Sequence, residues 1–480
     1  MNNGVLSLLF VFLTIGSSAW AEEKVAIVTY LTWYSAAGAS NSCDSWKVGE
    51  FGFRQSRASS IRNYPLASQV ISTYGSEARP NRLDLSSATG RALEADFNFV
   101  REAGFDVVAL DVLPVPEAWI EYTKHGSGCG LGALQFFGDQ AAKAGLKATL
   151  LSDVMNRSGD FPQGIRMNSK DWASYYAEVI HVANRNSWYY KISGLPVIMQ
   201  FGSTERSIDE LTGRNAISRW QNLHDELEAK DLDAYYYMDL RPGVLDFDPR
   251  RRGAFIFAPG APQGYIDTLN RRLLASNRDV VWTVSPGYYN QRIGAFLPPD
   301  FRRIHESYIG AMAAGVKKIL FITWNDFEEE TDIAPSGTKG DALAWLVGFY
   351  NRWFKTEVIP GLDSPVLLVA TPIRKPSEVL SHGPSWMNER NSFGESDRTN
   401  RLFYWVYAQT PGVLRLNGKV QARVEAGVSF GEVPLDGRAS GVLSLEGLPG
   451  EITYRVEATR TESQRKGEGG LEYRYQRLGG

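Results

Sequence analysis

Eight short β-branched or apolar runs, spaced by amphipathic stretches, constrain this chain more than any other feature. The runs are Val25–Trp33, Val107–Asp111, Lys147–Leu151, Pro196–Phe201, Leu232–Asp239, Ala254–Phe257, Val280–Ser285 and Lys317–Thr323. Arg91–Ala103 puts Leu93, Phe97 and Val100 on one side, and Ile217–Glu228 puts Trp220, Leu223 and Leu227 at helical spacing. Leu134–Ala144, Asp171–Ala183, Ile266–Leu274, Phe301–Ala314 and Ala342–Phe354 continue the helical series. Gly104, Gly145 and Gly315 each stand just before the next strand, where a helix C-cap glycine belongs. Strands that alternate with helices pair in parallel, because a parallel neighbour needs a crossover. Eight such units predict an α/β fold, a closed (β/α)₈ TIM barrel. The alternative is an open doubly wound sheet. No Gly-x-Gly-x-x-Gly follows the first strand, so its dinucleotide-binding version lacks support.

Near Pro360-Gly361 the helical period stops. Val366–Ala370, Leu402–Gln409, Val413–Leu416, Val420–Glu425, Gly441–Leu445 and Ile452–Ala458 alternate as strands with turn residues between them, which predicts an antiparallel β-sandwich. Nothing in it marks a binding platform, and packing against the barrel is its expected role. At the other end, Val5 to Ile15 is apolar but too short to span a bilayer, and Ala19-Trp20-Ala21 supplies a small-x-small cleavage site. The expected organisation is a signal peptide over 1–21, a barrel over 22–358 and an accessory sandwich over 362–480. That makes the protein secreted or periplasmic, with no membrane attachment after cleavage. The 480 residues carry a formal net charge of -3 with no basic stripe, which argues against nucleic acid as the partner. The 5 His are scattered singly and no Cys-x-x-Cys occurs, so no metal site is expected. No cofactor is implied, and the oligomeric state stays open.

A barrel places chemistry at the C-terminal ends of its strands. Those ends read Trp33-Tyr34, Asp111, Ser152-Asp153, Gln200, Asp239, Pro259, Ser285-Pro286 and Trp324-Asn325-Asp326. Polar residues recur there directly after apolar runs. The acids have a structural alternative, helix N-capping at a βα turn. For the aromatic residues Trp33, Tyr34, Trp324 and Tyr288 the alternatives are sugar stacking and packing in core or rim. The first two βα connections hold Cys43 and Cys129. Neighbouring strands have neighbouring loops, so the two cysteines of an exported chain are expected to pair as a disulfide.

The eighth strand runs straight into five acids, Asp326, Glu328, Glu329, Glu330 and Asp332. A solvated acidic loop or a calcium site is the plain alternative. Crowded carboxylates raise one another's pKa, which helps one remain a proton donor near neutral pH. Asp326 and Glu329 are three residues apart. Their Cβ atoms would lie about 5–6 Å apart on a helical turn and about 10 Å apart in extended chain. Cleavage of a glycosidic bond uses carboxyl pairs about 5–5.5 Å apart for retention and about 6.5–9.5 Å for inversion. Spacing alone leaves the stereochemistry open.

Ile322-Thr323-Trp324-Asn325-Asp326-Phe327-Glu328-Glu329 resembles the eighth-strand motif of glycoside hydrolase family 71, the α-1,3-glucanases, which runs Thr-Trp-Asn-Asp-Tyr-Gly-Glu-Ser. It is also similar to the Asn-Glu-Trp-His-Glu-Gly-Thr motif of family 99, the endo-α-mannosidases, whose following residues Thr331, Ile333 and Pro335 match. Gly194-Leu195-Pro196-Val197-Ile198, Gly253-Ala254-Phe255 and Val284-Ser285-Pro286 with Tyr288-Tyr289 also resemble family 71, so the likeness thinly covers residues 25 to 356. The resemblance implies a hydrolase of α-linked polysaccharide, with Asp326 as base or nucleophile and Glu329 as general acid. It implies that Asp111, Asp153 and Asp239 meet sugar hydroxyls or tune the acid. Gln200 and Asn325 join them as candidate substrate contacts, and Trp33, Tyr34, Trp324 and Tyr288 as candidate platforms. Glu328, Glu330 and Asp332 read as tuning or solvated neighbours. Phe327, Glu328 and Glu330 depart from both motifs, which puts the substrate in doubt more than the reaction.

Two measurements check the export reading. N-terminal sequencing of the secreted product is expected to start at Glu22 rather than Met1. Thiol titration of the denatured, unreduced protein is expected to find none, and two free thiols would remove the disulfide.

Overall fold

Eight strands pair in parallel: β1 (Val25–Leu31), β2 (Val107–Val112), β3 (Lys147–Asp153), β4 (Leu195–Phe201), β5 (Tyr235–Asp239), β6 (Gly253–Phe255), β7 (Asp279–Val284) and β8 (Lys318–Phe321). Pairing runs from β3 through β2 and β1 to β8, then through β7, β6 and β5 to β4, and a β3–β4 ladder closes the ring. The alternation therefore does give a closed barrel. The computed structural model describes residues 23–32, 88–112, 114–124, 130–154, 167–203, 216–240, 253–290, 295–297, 300–326, 331–335, 339–372, 401–435, 441–447, 452–456 and 473–479. Residues 1–21, read above as a signal peptide, the long first connection with Cys43, the stretch of the second that holds Cys129, and residues 327–330 lie outside that set.

The helices around the ring are α1 (Ala88–Glu102), α2 (Glu117–Thr123), α3 (Gly130–Lys143), α4 (Ser169–Arg185), α5 (Ala216–Glu228), α6 (Gln263–Ala275), α7 (Phe301–Ala313) and α8 (Ala342–Thr356). The short α2, set in the second connection, has no counterpart in the periodicity reading. Gly104, Gly145 and Gly315 take φ of +74°, +79° and +66°, the left-handed conformation that ends a helix at no steric cost. Among the described residues no helix is long and apolar enough to cross a membrane.

Successive residues of a strand point to opposite faces. On one face, Ile27, Val107, Ala109, Leu151, Val197, Met199, Tyr237, Phe255, Val281 and Leu320 fill the barrel interior. The residues between them, such as Val108, Leu150, Ile198, Tyr236 and Ile319, meet the helices. The strand starts are plugged by a polar knot. Tyr235 and Tyr237 donate their hydroxyls to Asp279 Oδ2 at 2.6 and 2.5 Å, and Lys318 Nζ lies 3.4 Å from the same carboxylate. Gly253 makes room for it, because a Cβ there would meet the Tyr237 ring at 2.2 Å.

Past α8 the chain forms β9 (Val366–Pro372), β10 (Arg401–Ala408), β11 (Gly412–Leu416), β12 (Lys419–Val424), β13 (Gly427–Pro434), β14 (Gly441–Glu446), β15 (Ile452–Val456) and β16 (Tyr473–Gly479). They make two four-stranded antiparallel sheets, ordered β13-β10-β9-β16 and β12-β11-β14-β15. Leu367, Val369, Leu402 and Val406 of the first sheet share a core with Leu414, Val424, Leu443 and Leu445 of the second. The strands β13 and β16 were not anticipated, because two glycines and a proline break the pattern in one and two arginines in the other.

The outer face of the first sheet packs on the barrel helices. Trp405 is fully buried among Trp345 and Phe349 of α8, and its indole donates to Tyr350 Oη at 2.9 Å. His305 of α7 sits in the same seam, with Nδ1 2.8 Å from Tyr350 Oη and its ring 4.7 Å from that of Phe430 on β13. Burial pushes the His305 pKa down to about 4. A histidine held neutral in the fold and free to charge when unfolded stabilises above its unfolded pKa, and that stability fades as pH falls toward the folded value. Between pH 6.5 and 4 the wild type is therefore expected to lose on the order of 1–2 kcal/mol that a His305→Gln variant does not, after a discount for partial exposure. Urea unfolding at several pH values measures the difference, and parallel pH profiles would contradict it.

Candidate active site

Asp111 ends β2 on the same face as Val107 and Ala109, and Asp153 ends β3 on the same face as Leu151. Both carboxyls thus rise from the barrel interior at the C-terminal mouth. Asp326 arrives there from the loop after β8 and is half-buried. The three come close enough for Asp153 and Asp326 both to act on Asp111. Asp111 is 4% exposed, and its carboxyl is pushed well above the usual carboxylate range, first by burial and then by the two neighbouring acids. Neither Asp111 nor Asp153 caps the helix that follows it: α2 starts after Pro116, and α4 starts after Asn168, whose side chain accepts from the main chain of Lys170 and Asp171.

The loop bearing Asp326 is fastened on both sides. Asn325 behaves as one more rung of the sheet: its Oδ1 accepts from Leu31 N at 2.8 Å and its Nδ2 donates to Leu31 O at 3.0 Å. Thr323 Oγ1 accepts from Asp326 N at 2.9 Å and lies 2.9 Å from Thr331 Oγ1. The amides of Ile333 and Ala334 both donate to Trp324 O, at 3.0 and 2.9 Å. Beneath, Lys339 Nζ reaches Asp332 Oδ1 at 2.5 Å with both side chains buried. Asp332 is therefore a buried anchor rather than a solvated neighbour, and burial raises its pKa against the pull of Lys339.

Other expected contacts find different work. Asp239 is fully buried and faces the interior, where Oδ1 accepts from Phe257 N at 2.9 Å and Oδ2 from Gly202 N at 3.1 Å. It ties the ends of β4 and β6 together beside its own strand. Gln200 points the other way, between helices: its amide donates to Tyr176 Oη at 3.3 Å and lies 3.5 Å from His224 Nε2. Trp324 is fully buried in the helix layer, its indole donating to Asp96 Oδ1 at 2.9 Å, which leaves no ring face for a ligand. Tyr288 is 7% exposed and lies over Gly260, where any Cβ would meet its ring at 2.9 Å. Asn325 is likewise committed to β1. Trp33, Tyr34, Glu329 and the Cys43–Cys129 pair lie outside the described residues.

Four residues escaped the sequence reading. Phe201 and Phe257, with ring centroids 4.3 Å apart, sit at the top of the interior. Alternation would have found both. Asp96 accepts from Tyr30 Oη at 2.8 Å as well as from Trp324, and burial raises it to about 6. An acid on the buried stripe of α1 was its available signal. Arg303 of α7 is buried and donates to Ser285 Oγ and Pro259 O, each at 2.8 Å, bracing the ends of β6 and β7. Among the described residues no group of His, Cys, Asp or Glu has the arrangement to hold a metal ion.

Asp239 gives the clearest structural test. Hydrogen bonds to a charged acceptor contribute about 1.5–3 kcal/mol each, so loss of the two in Asp239→Ala should destabilise the protein by about 3–6 kcal/mol. A urea midpoint unchanged in that variant would instead leave Asp239 to a ligand.

No protein-family model matches this chain, and no curated protein does. Among solved structures it is similar to a GH99 endo-alpha-mannosidase from Bacteroides thetaiotaomicron, with 15% identity over 70% of this chain and 98% of that one and a TM-score of 0.48. It is also similar to a glycoside hydrolase-like protein, at 12% identity over 70% and 94% of the two chains and a TM-score of 0.44. An FMN-binding beta-glucuronidase from Facaelibacterium prausnitzii follows, at 12% identity over 78% and 54% and a TM-score of 0.42. Likeness of this degree carries no argument about chemistry.

Proposed function

We propose that this protein is a secreted glycoside hydrolase that cleaves α-linked polysaccharide by paired-carboxyl catalysis. One observation carries the reading: the closed barrel gathers Asp111, Asp153 and Asp326 at its C-terminal mouth, where a barrel does its chemistry. A glycosidic bond breaks when one carboxyl protonates the leaving oxygen and another attacks or activates water. Asp326, half-buried and held by the Thr323 hydroxyl, takes the base or nucleophile role. Glu329, three residues further along the chain, takes the acid role. Asp111 and Asp153 stand beside Asp326, and Phe201 and Phe257 line the interior below.

The resemblance of the eighth-strand motif to family 71 favours α-1,3-glucan as substrate. An endo-α-mannosidase-like reading has its own support. Thr331 and Ile333, which match the family 99 motif, are fully buried and fasten the acidic loop to Thr323 and Trp324.

A reducing-end assay across α-glucans and α-mannans tests the class. Asp326→Asn and Glu329→Gln are each expected to cut turnover by about 10²-fold or more while leaving binding in place. Near-full turnover in either variant overturns its role. Binding by the wild type without any new reducing ends would make the protein a glycan-binding barrel instead.

A further inference from the structure

The carboxyl of Asp111 has surroundings that an ionised carboxylate does not choose. Its Oδ1 is out of contact with solvent and accepts no hydrogen bond. Asp239, at the end of β5, shows the contrast, for both of its oxygens take main-chain N–H donors. Each element packed against Asp111 can be asked what charge it presents. From β3 comes Asp153, and from the loop after β8 comes Asp326, both acids. From the end of β1 comes Thr32, whose hydroxyl donates to the Asp111 main-chain carbonyl at 2.8 Å and so not to its carboxyl. Among the described residues no cation faces it. An ionised Asp111 would place a third negative charge in a dry position beside two others, with an oxygen left bare.

We propose that Asp111 works as a neutral carboxylic acid, a positioning residue that keeps its proton at neutral pH, offers its O–H to a substrate hydroxyl, and leaves Asp326 as the ionised partner. The idea rests on the reading of Asp326 as base or nucleophile. It deepens that reading in one respect: the mouth carries less negative charge than its acids suggest and presents a donor fitted to an uncharged, hydroxylated ligand.

Infrared spectroscopy of the full-length protein tests this without a substrate. At pH 7, the wild-type spectrum minus that of Asp111→Asn is expected to contain the C=O stretch of a protonated carboxylic acid and no carboxylate band. On raising the pH that band should disappear with a midpoint above 7, and the midpoint should move down in Asp326→Asn, which removes one of the repelling charges. A carboxylate band at pH 7, or a midpoint unmoved by Asp326→Asn, would overturn the proposal. Should Asp111→Asn not fold, the wild type against Asp326→Asn and Asp153→Asn gives the same midpoints after ¹³C labelling of aspartate. The readout also separates the two ideas. A protonated Asp111 together with an active Asp326→Asn enzyme sinks the catalytic assignment alone, whereas an ionised Asp111 with an inactive Asp326→Asn sinks only this one.

Discussion

Two-residue alternation along strands buried on both faces decides almost everything at the mouth of this barrel. A parallel strand inside a ring of helices has no solvent face, so each side chain goes either to the axis or to the helix layer. Ala109 and Leu151 go to the axis, and that choice delivers Asp111 and Asp153 to the same opening. Met199 and Tyr237 go there too, which carries Phe201 and Asp239 inward and turns Gln200 outward. One residue of slip in any of these strands would exchange the acids for groups that belong among the helices.

Alternation ends where the strands end, and polar clamps take over. Asn325 imitates a peptide pair against Leu31, Asp239 collects two stray main-chain donors, and Asp96 gathers Tyr30 of β1 and Trp324 of the loop after β8. Each clamp is buried, where an unmade hydrogen bond costs about 1–3 kcal/mol and removal of one member of an ion pair such as Lys339–Asp332 costs about 3–5 kcal/mol. The acids of this region therefore divide by environment. Asp239, with main-chain donors on both oxygens, and Asp332, with a lysine at hand, hold the loops, while Asp111, Asp153 and Asp326 come together at the opening.

The barrel was legible because its signal is redundant: eight apolar runs, seven amphipathic stretches and three well-placed glycines agree with one another. The strand ends were legible as places but less so as roles. Gln200 could have been set aside by counting parity from Met199, since an even step separates inward residues and this is an odd one. Trp324 could not, because β8 stops at Phe321 and the chain turns before the indole leaves it. Asp332 looked like part of an acidic run, and only the fold shows Lys339, seven residues on, folded back beneath it. In the sandwich, β13 and β16 are half-exposed strands, so the apolar alternation that marks a buried strand is weak in both.

The clamp between Asn325 and Leu31 joins residues 294 apart in sequence. The added entropic cost of closing so long a loop grows only slowly, by about 0.6 kcal/mol for each doubling of length, but contacts of such range slow the search for the native state. During synthesis the first strand leaves the ribosome long before its last neighbour exists. Until the chain has been made well past Asp326, β1 has no partner on that edge and the acid loop has nothing to lean on. The acidic mouth is thus a late product of assembly, present only in molecules whose two ends have met.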